Sequence, residues 1–167
     1  MPAKTNVSRI AVVAVLAGSA LLSSMADVQA ANICATTRDR AALEVRVLQS
    51  ELMVAALTCR QKADYNAFVT RYKPQLKSFG RDLRAFYDQA FGQQSGERQM
   101  NKLVTRLANG ASQRSLSVAP VDYCAETAQR FQTLLGKPNT ERLLQIASTA
   151  PAAQSHGVPT CREVANK

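Results

Sequence analysis

The stretch Val45–Cys59, VRVLQSELMVAALTC, constrains the fold more than any other part of the chain. Val45, Leu48, Leu52, Ala55 and Cys59 recur at spacings of three and four, the period of one helical face. Within it, Leu52–Leu57 reads Leu-Met-Val-Ala-Ala-Leu, six consecutive apolar residues. On a helix such a run is apolar all round, so this half is expected to be enclosed by other helices. A central helix ending in a cysteine is the element around which the rest must be arranged.

The chain of 167 residues is long enough for one domain and short for two. It has no tryptophan and few alternating β-branched stretches, whereas Ala, Leu, Gln, Arg and Lys abound, which favours helix. Residues 1–30 stand apart as a cleavable secretory signal. Lys4 and Arg9 supply a positive start, Ile10–Leu22 is apolar, and Val28-Gln29-Ala30 offers the small residues of a cleavage site before Ala31. At ~1.5 Å per residue the apolar run spans ~20 Å, short of the ~30 Å hydrocarbon layer, so no stable transmembrane insertion is expected. Lipid anchoring is also unexpected: Ser19 stands in LAGS where a bacterial lipoprotein carries its cysteine. The expected destination is the periplasm or the exterior. Residues 31–149 then form the helical domain, and 150–167 an irregular tail tethered by Cys161.

In that oxidising compartment Cys34, Cys59, Cys124 and Cys161 read as two disulfides. A zinc site is the rival reading, but no two cysteines have close metal-ligand spacing and His156 is the only histidine.

Thr36-x-x-Asp39 resembles a capping box and starts a first helix that runs to about Cys59. Over Lys62–Gly92, the residues Tyr65, Val69, Tyr72, Leu76, Phe79, Leu83, Phe86 and Ala90 step by four and three. Pro74 deletes one hydrogen bond inside this seam, so one kinked helix is expected, with a turn over Gly92–Gly96. A third helix, capped by Ser95, carries Met100, Leu103, Val104, Leu107, Ala108 and Ala111, and Asn109-Gly110 can end it early. After a connection over Ser115–Val121, in which Pro120 can begin the next helix, a fourth runs to about Leu135 with Gly136 as its cap. Asn139 or Thr140 opens a short fifth helix. The fold class is therefore all-α: an antiparallel bundle of four main helices and a short fifth, with two disulfides.

Geometry selects the pairing. A helix from Thr36 to Cys59 is ~35 Å long, and bonded cysteines need Cα atoms within ~7 Å, which excludes Cys34–Cys59. Short loops make neighbouring helices antiparallel, which puts Cys59 and the start of the fourth helix at the same end. The expected bridges are Cys59–Cys124 and Cys34–Cys161.

The formal charge is +9, and removing Lys4, Arg9 and Asp27 with the signal leaves +8. On the second helix Lys62, Lys73, Lys77, Arg81 and Arg84 gather on a flank beside the apolar seam, opposite Asp64 and Asp82. On the third, Arg98, Lys102 and Arg106 repeat a four-residue spacing. Like charges so placed repel, which suits either a solvated basic face or a surface for an anionic partner: lipid headgroups, envelope polysaccharide or an acidic envelope protein. There is no nucleic-acid recognition module. No phosphate-binding Gly loop or metal-ligand cluster stands out, and the repeated Glu-x-x-His of a di-iron bundle is missing, so no cofactor or metal is expected. The remaining candidates for chemistry are His156 in the tail and the pair Asp122 and Glu126, one turn apart beside Cys124. A tail histidine is ordinarily solvated, and both carboxylates also suit the positive end of a helix. The expected function is a non-catalytic exported binding protein, of chaperone-like, adaptor or inhibitor type, with basic flanks for its partner. A small envelope hydrolase using Asp122, Glu126 and His156 is the alternative. No motif assigns an oligomeric state.

Overall fold

The computed structural model describes residues 33–149 and 155–161. The expected signal peptide lies outside the described residues. Among the described residues six helices follow one another: α1 (Thr37–Thr58), α2 (Lys62–Arg71), α3 (Lys73–Phe91), α4 (Gln93–Ser117), α5 (Pro120–Gly136) and α6 (Thr140–Ala147). Among the described residues there is no β-strand, only an isolated parallel bridge between Ala35 and Thr160. The protein is an all-α bundle closed by two disulfides.

The start of α1 is fixed by a reciprocal cap. Thr36 Oγ1 accepts from the Asp39 N–H at 3.3 Å, and Asp39 Oδ2 accepts from the Thr36 N–H at 3.0 Å. The expected single kinked helix is two. Pro74 falls in the first turn of α3, where its missing N–H is harmless, and Tyr72 (φ −99°, ψ 11°) leaves the helical track between them. The apolar face nevertheless continues across the break, with Phe68, Tyr72, Leu83 and Phe86 all buried. Tyr72 also donates its hydroxyl to the Leu134 carbonyl of α5 at 2.9 Å, which fixes the junction against the bundle.

The turn expected over Gly92–Gly96 contracts to Gly92 alone, whose φ of 74° is glycine's territory. Gly96 is already inside α4 and packs against the end of α3. A Cβ there would lie 2.7 Å from the Tyr87 carbonyl oxygen. Asn109-Gly110 does not end α4, which continues to Ser117. A helical glycine costs only about 1 kcal/mol, less than the burial of Leu103, Leu107 and Ala111 around it returns. The connection expected over Ser115–Val121 shortens to Val118–Ala119, and Pro120 opens α5. Gly136 is the last residue of α5 rather than its cap, a place taken by Lys137. Asn139 caps α6, its Oδ1 accepting from the Arg142 N–H at 2.7 Å.

α1 is the axis and touches each of the other five helices. One side packs Leu48, Leu52 and Ala56 against Phe68, Tyr72, Phe131, Leu134 and Leu143. The other packs Leu43 and Val47 against Leu83, Phe86, Leu103 and Leu107. The enclosure expected for Leu52–Leu57 is incomplete. Met53 and Leu57, one turn apart, are 38% and 62% exposed, with no described helix over that strip. The disulfides pair as the geometry required. Cys59–Cys124 joins the end of α1 to the start of α5, with Cα atoms 5.4 Å apart. Cys34–Cys161, with Cα atoms 4.6 Å apart, ties the residues before α1 to the tail. The tail residues 155–161 run beside the start of the domain. The Ala35 N–H donates to the Pro159 carbonyl at 2.8 Å, and the Cys161 N–H to the Ala35 carbonyl at 3.2 Å. No helix among the described residues is long and apolar enough to cross a membrane.

Candidate functional site

The eight basic residues singled out on the second and third expected helices now lie on α2, α3 and α4, and all eight are exposed. None forms an ion pair with a described residue. The ion-paired carboxylates serve other cations instead: Asp82 pairs with Arg38 at 2.6 Å and Glu44 with Arg40 at 2.7 Å. Arg98 donates to Ser95 Oγ at 2.8 Å and Arg106 to the His156 carbonyl at 2.7 Å, contacts that leave both charges uncompensated.

The structure divides the eight by surroundings. Arg98, Lys102 and Arg106 line a broad depression of about 790 Å³ along α4, together with Asn101 and Ser155. Arg84 lines a second cleft of about 350 Å³ between α1, α3 and α4. Lys62, Lys73, Lys77 and Arg81 line none of the depressions described here. Asn101 belongs to both clefts, so the two are neighbours. The smaller one has an apolar lining that includes Val45, Phe79, Leu83, Met100 and Val104, with Arg46, Gln49, Arg84 and Asn101 as its polar groups.

Arg46 escapes sequence reasoning because it sits on the central helix among apolar residues. Its Nη1 donates to Gln49 Oε1 at 3.2 Å, while its Nε is buried without a partner. Burial holds its guanidinium below the ordinary arginine range, with Tyr65 opposing. A guanidinium with no facing carboxylate, beside an apolar cleft, is suited to an anionic group brought from outside.

The candidate catalytic residues are not brought together. Asp122 is exposed at the start of α5. Glu126 is taken by two arginines: Arg114 donates to its Oε2 at 2.7 Å and Arg130 to its Oε1 at 3.0 Å. Arg130 also donates to Glu51 Oε2 at 2.8 Å, which makes a four-membered network linking α1, α4 and α5. Arg114 stacks over the Tyr123 ring, 5.4 Å from its centre. His156 lies elsewhere, in a hollow of about 300 Å³ with Phe86, Tyr87, Phe91 and Arg106. It is half-buried rather than solvated as expected, and its Nδ1 accepts from the Val158 N–H at 3.1 Å. Burial holds the imidazole below its ordinary range, helped by Arg40 and Arg106 and opposed by Glu44. Among the described residues no three His, Cys, Asp or Glu side chains group as metal ligands.

The geometry thus presents unpaired cations around two adjoining clefts, and it does not bring Asp122, Glu126 and His156 together. Compared with known proteins, the chain matches no family model, no curated protein and no solved structure.

Proposed function

We propose that this is a non-catalytic exported protein that binds an anionic component of the cell envelope through the basic rows of α3 and α4. The observation that carries this reading is the charge arrangement. Eight exposed cations lie without ion-pair partners among the described residues, while the buried Glu51 and the partly exposed Glu126 are engaged by Arg114 and Arg130. A local excess of positive charge raises the local concentration of anionic ligands and quickens their capture. Export to the periplasm or beyond follows from the signal-like residues 1–30, and two disulfides within a helical domain fit an oxidising compartment.

The test is affinity capture from envelope extract with the mature, oxidised protein. The comparison variant carries Lys73→Gln, Lys77→Gln, Arg81→Gln, Arg98→Gln, Lys102→Gln and Arg106→Gln. The expected result is salt-sensitive capture by the wild type and a loss of at least about tenfold in the variant. Equal yields from the two proteins would overturn the reading.

A further inference from the structure

The cleft between α1, α3 and α4 combines features that a packing defect would not. Seven of its twelve lining residues carry apolar side chains, its charged groups are all cationic, and no carboxylate borders it. Of the two arginines, Arg84 is exposed at the rim, and Arg46 carries a buried Nε donor without an acceptor. An acidic oxygen in the cleft would face two guanidinium groups with no carboxylate competing for them.

Gly80 supplies a second and independent observation. It stands in the interior of α3, where glycine costs about 1 kcal/mol relative to alanine. Nothing in the packing demands it, since a Cβ at this position would meet no atom within 4 Å. Its φ is not positive, so the turn chemistry that calls for glycine at Gly92 does not apply. What glycine does here is leave the cleft wall bare, because Gly80 lines the opening. The volume of about 350 Å³ falls within the range of small-molecule sites. The larger cationic depression adjoins it at Asn101, so a molecule with an apolar body in the cleft could place an acidic end among cations.

We propose that this cleft binds a single-chain anionic amphiphile, with a medium-length acyl chain between α1, α3 and α4 and its acidic headgroup against Arg46 and Arg84. The proposal rests on the anion-binding reading above and names a ligand class and a site for it. The shared chemistry is an oxyacid on an aliphatic chain, which can come from a free fatty acid or from a phosphate-headed lipid.

Calorimetric titration of the oxidised protein with dodecanoate, dodecyl phosphate and dodecanol, each below its self-association limit, tests this. Saturable binding of dodecanoate or dodecyl phosphate is expected, and the tighter of the two identifies the headgroup. Dodecanol should bind at least about tenfold more weakly, since it lacks the charge that the guanidinium groups recognise. Arg84→Gln and Arg46→Gln should each weaken the acid by about tenfold or more while leaving dodecanol unchanged. Gly80→Leu should abolish binding of all three by filling the wall. Because leucine favours helix, an unchanged or raised melting temperature shows that the loss is not unfolding. The proposal is overturned if neither acid binds saturably, if dodecanol binds as tightly as the acids, or if Gly80→Leu binds undiminished. Gly80→Leu retains all eight exposed cations, so its capture yield from envelope extract should match the wild type. A wild-type protein that captures normally but ignores dodecanoate and dodecyl phosphate keeps the basic-face reading and loses the cleft.

Discussion

Glu51 sits between Ser50 and Leu52 on the central helix and is only 6% exposed. Burial pushes its carboxyl above the ordinary glutamate range, and Arg130 and Arg114 only partly reverse this. Glu126, less buried, is driven the other way. Its burial also raises it, but hydrogen bonds and charge from Arg114 and Arg130 prevail and hold it below the usual range. Arg130 is the hinge of the set because it donates to both carboxylates. Substituting Arg130→Met should therefore cost about 3–5 kcal/mol in urea unfolding at neutral pH, since it strands a buried negative charge. Adding Glu51→Leu should restore most of that loss. A carboxyl with a raised folded-state value binds its proton more tightly when folded, so its ionisation lowers stability as pH rises. The deficit of the single variant should shrink as pH falls toward the ordinary glutamate range. At this scale the sequence was only partly legible. Arg130, one turn on from Glu126, was readable from spacing, but Arg114 twelve residues back on α4 and Glu51 on α1, which complete the network, were not. Phe68 is one turn from Tyr65 and Tyr72 and fully buried, so the face it belongs to was readable although the stepwise seam passed over it.

Helices meet at positions where a single atom decides the fit. Gly96 in α4 and Gly80 in α3 make opposite predictions from the same substitution. Gly96→Ala would push a Cβ to 2.7 Å from the Tyr87 carbonyl oxygen and should destabilise by about 1–3 kcal/mol as α3 and α4 move apart. Gly80→Ala meets open space and should stabilise by about 0.5–1 kcal/mol. Thermal unfolding of both variants reads the sign directly. The tail segment 155–161 responds to pH instead. His156 is faced by Glu44 and Arg40 from α1 and Arg106 from α4, and burial holds it below 6.5, its ordinary value. Its contribution is thus present above that value and is lost as pH falls below it through the lowered folded-state value, because protonation at Nδ1 ends acceptance from the Val158 N–H. Amide exchange at Val158, corrected for intrinsic chemistry, should accelerate as pH falls below the ordinary histidine range, and His156→Ala should remove that dependence. Element types and most starts were legible from caps and periodicity: Thr36, Pro120 and Asn139 did what their chemistry demands. Stops were less so, because α4 outlasts Asn109-Gly110 through burial on both sides, which no local signal reveals.

Across the molecule, the disulfide pairing was accessible from helix length and alternating direction alone. The clefts were not, because they depend on how far apart tilted helices settle, and the strip of Met53 and Leu57 stayed open for the same reason. Replacing both Cys59 and Cys124 by alanine should cost about 4 kcal/mol, from the 65-residue separation they close. That loss would be read as a lower urea midpoint with a steeper slope, because the unlinked unfolded chain exposes more surface. The outer bridge encloses the inner one, since Cys34 and Cys161 lie 127 residues apart with Cys59 and Cys124 between them. This nesting has a consequence for turnover in a protease-rich space. Arg60, exposed and at a φ of 58° in the short link after α1, offers a tryptic cleavage point. One scission there, or anywhere between Cys34 and Cys161, severs the backbone yet releases nothing, and the nicked product should run as one band until a reductant splits it in two.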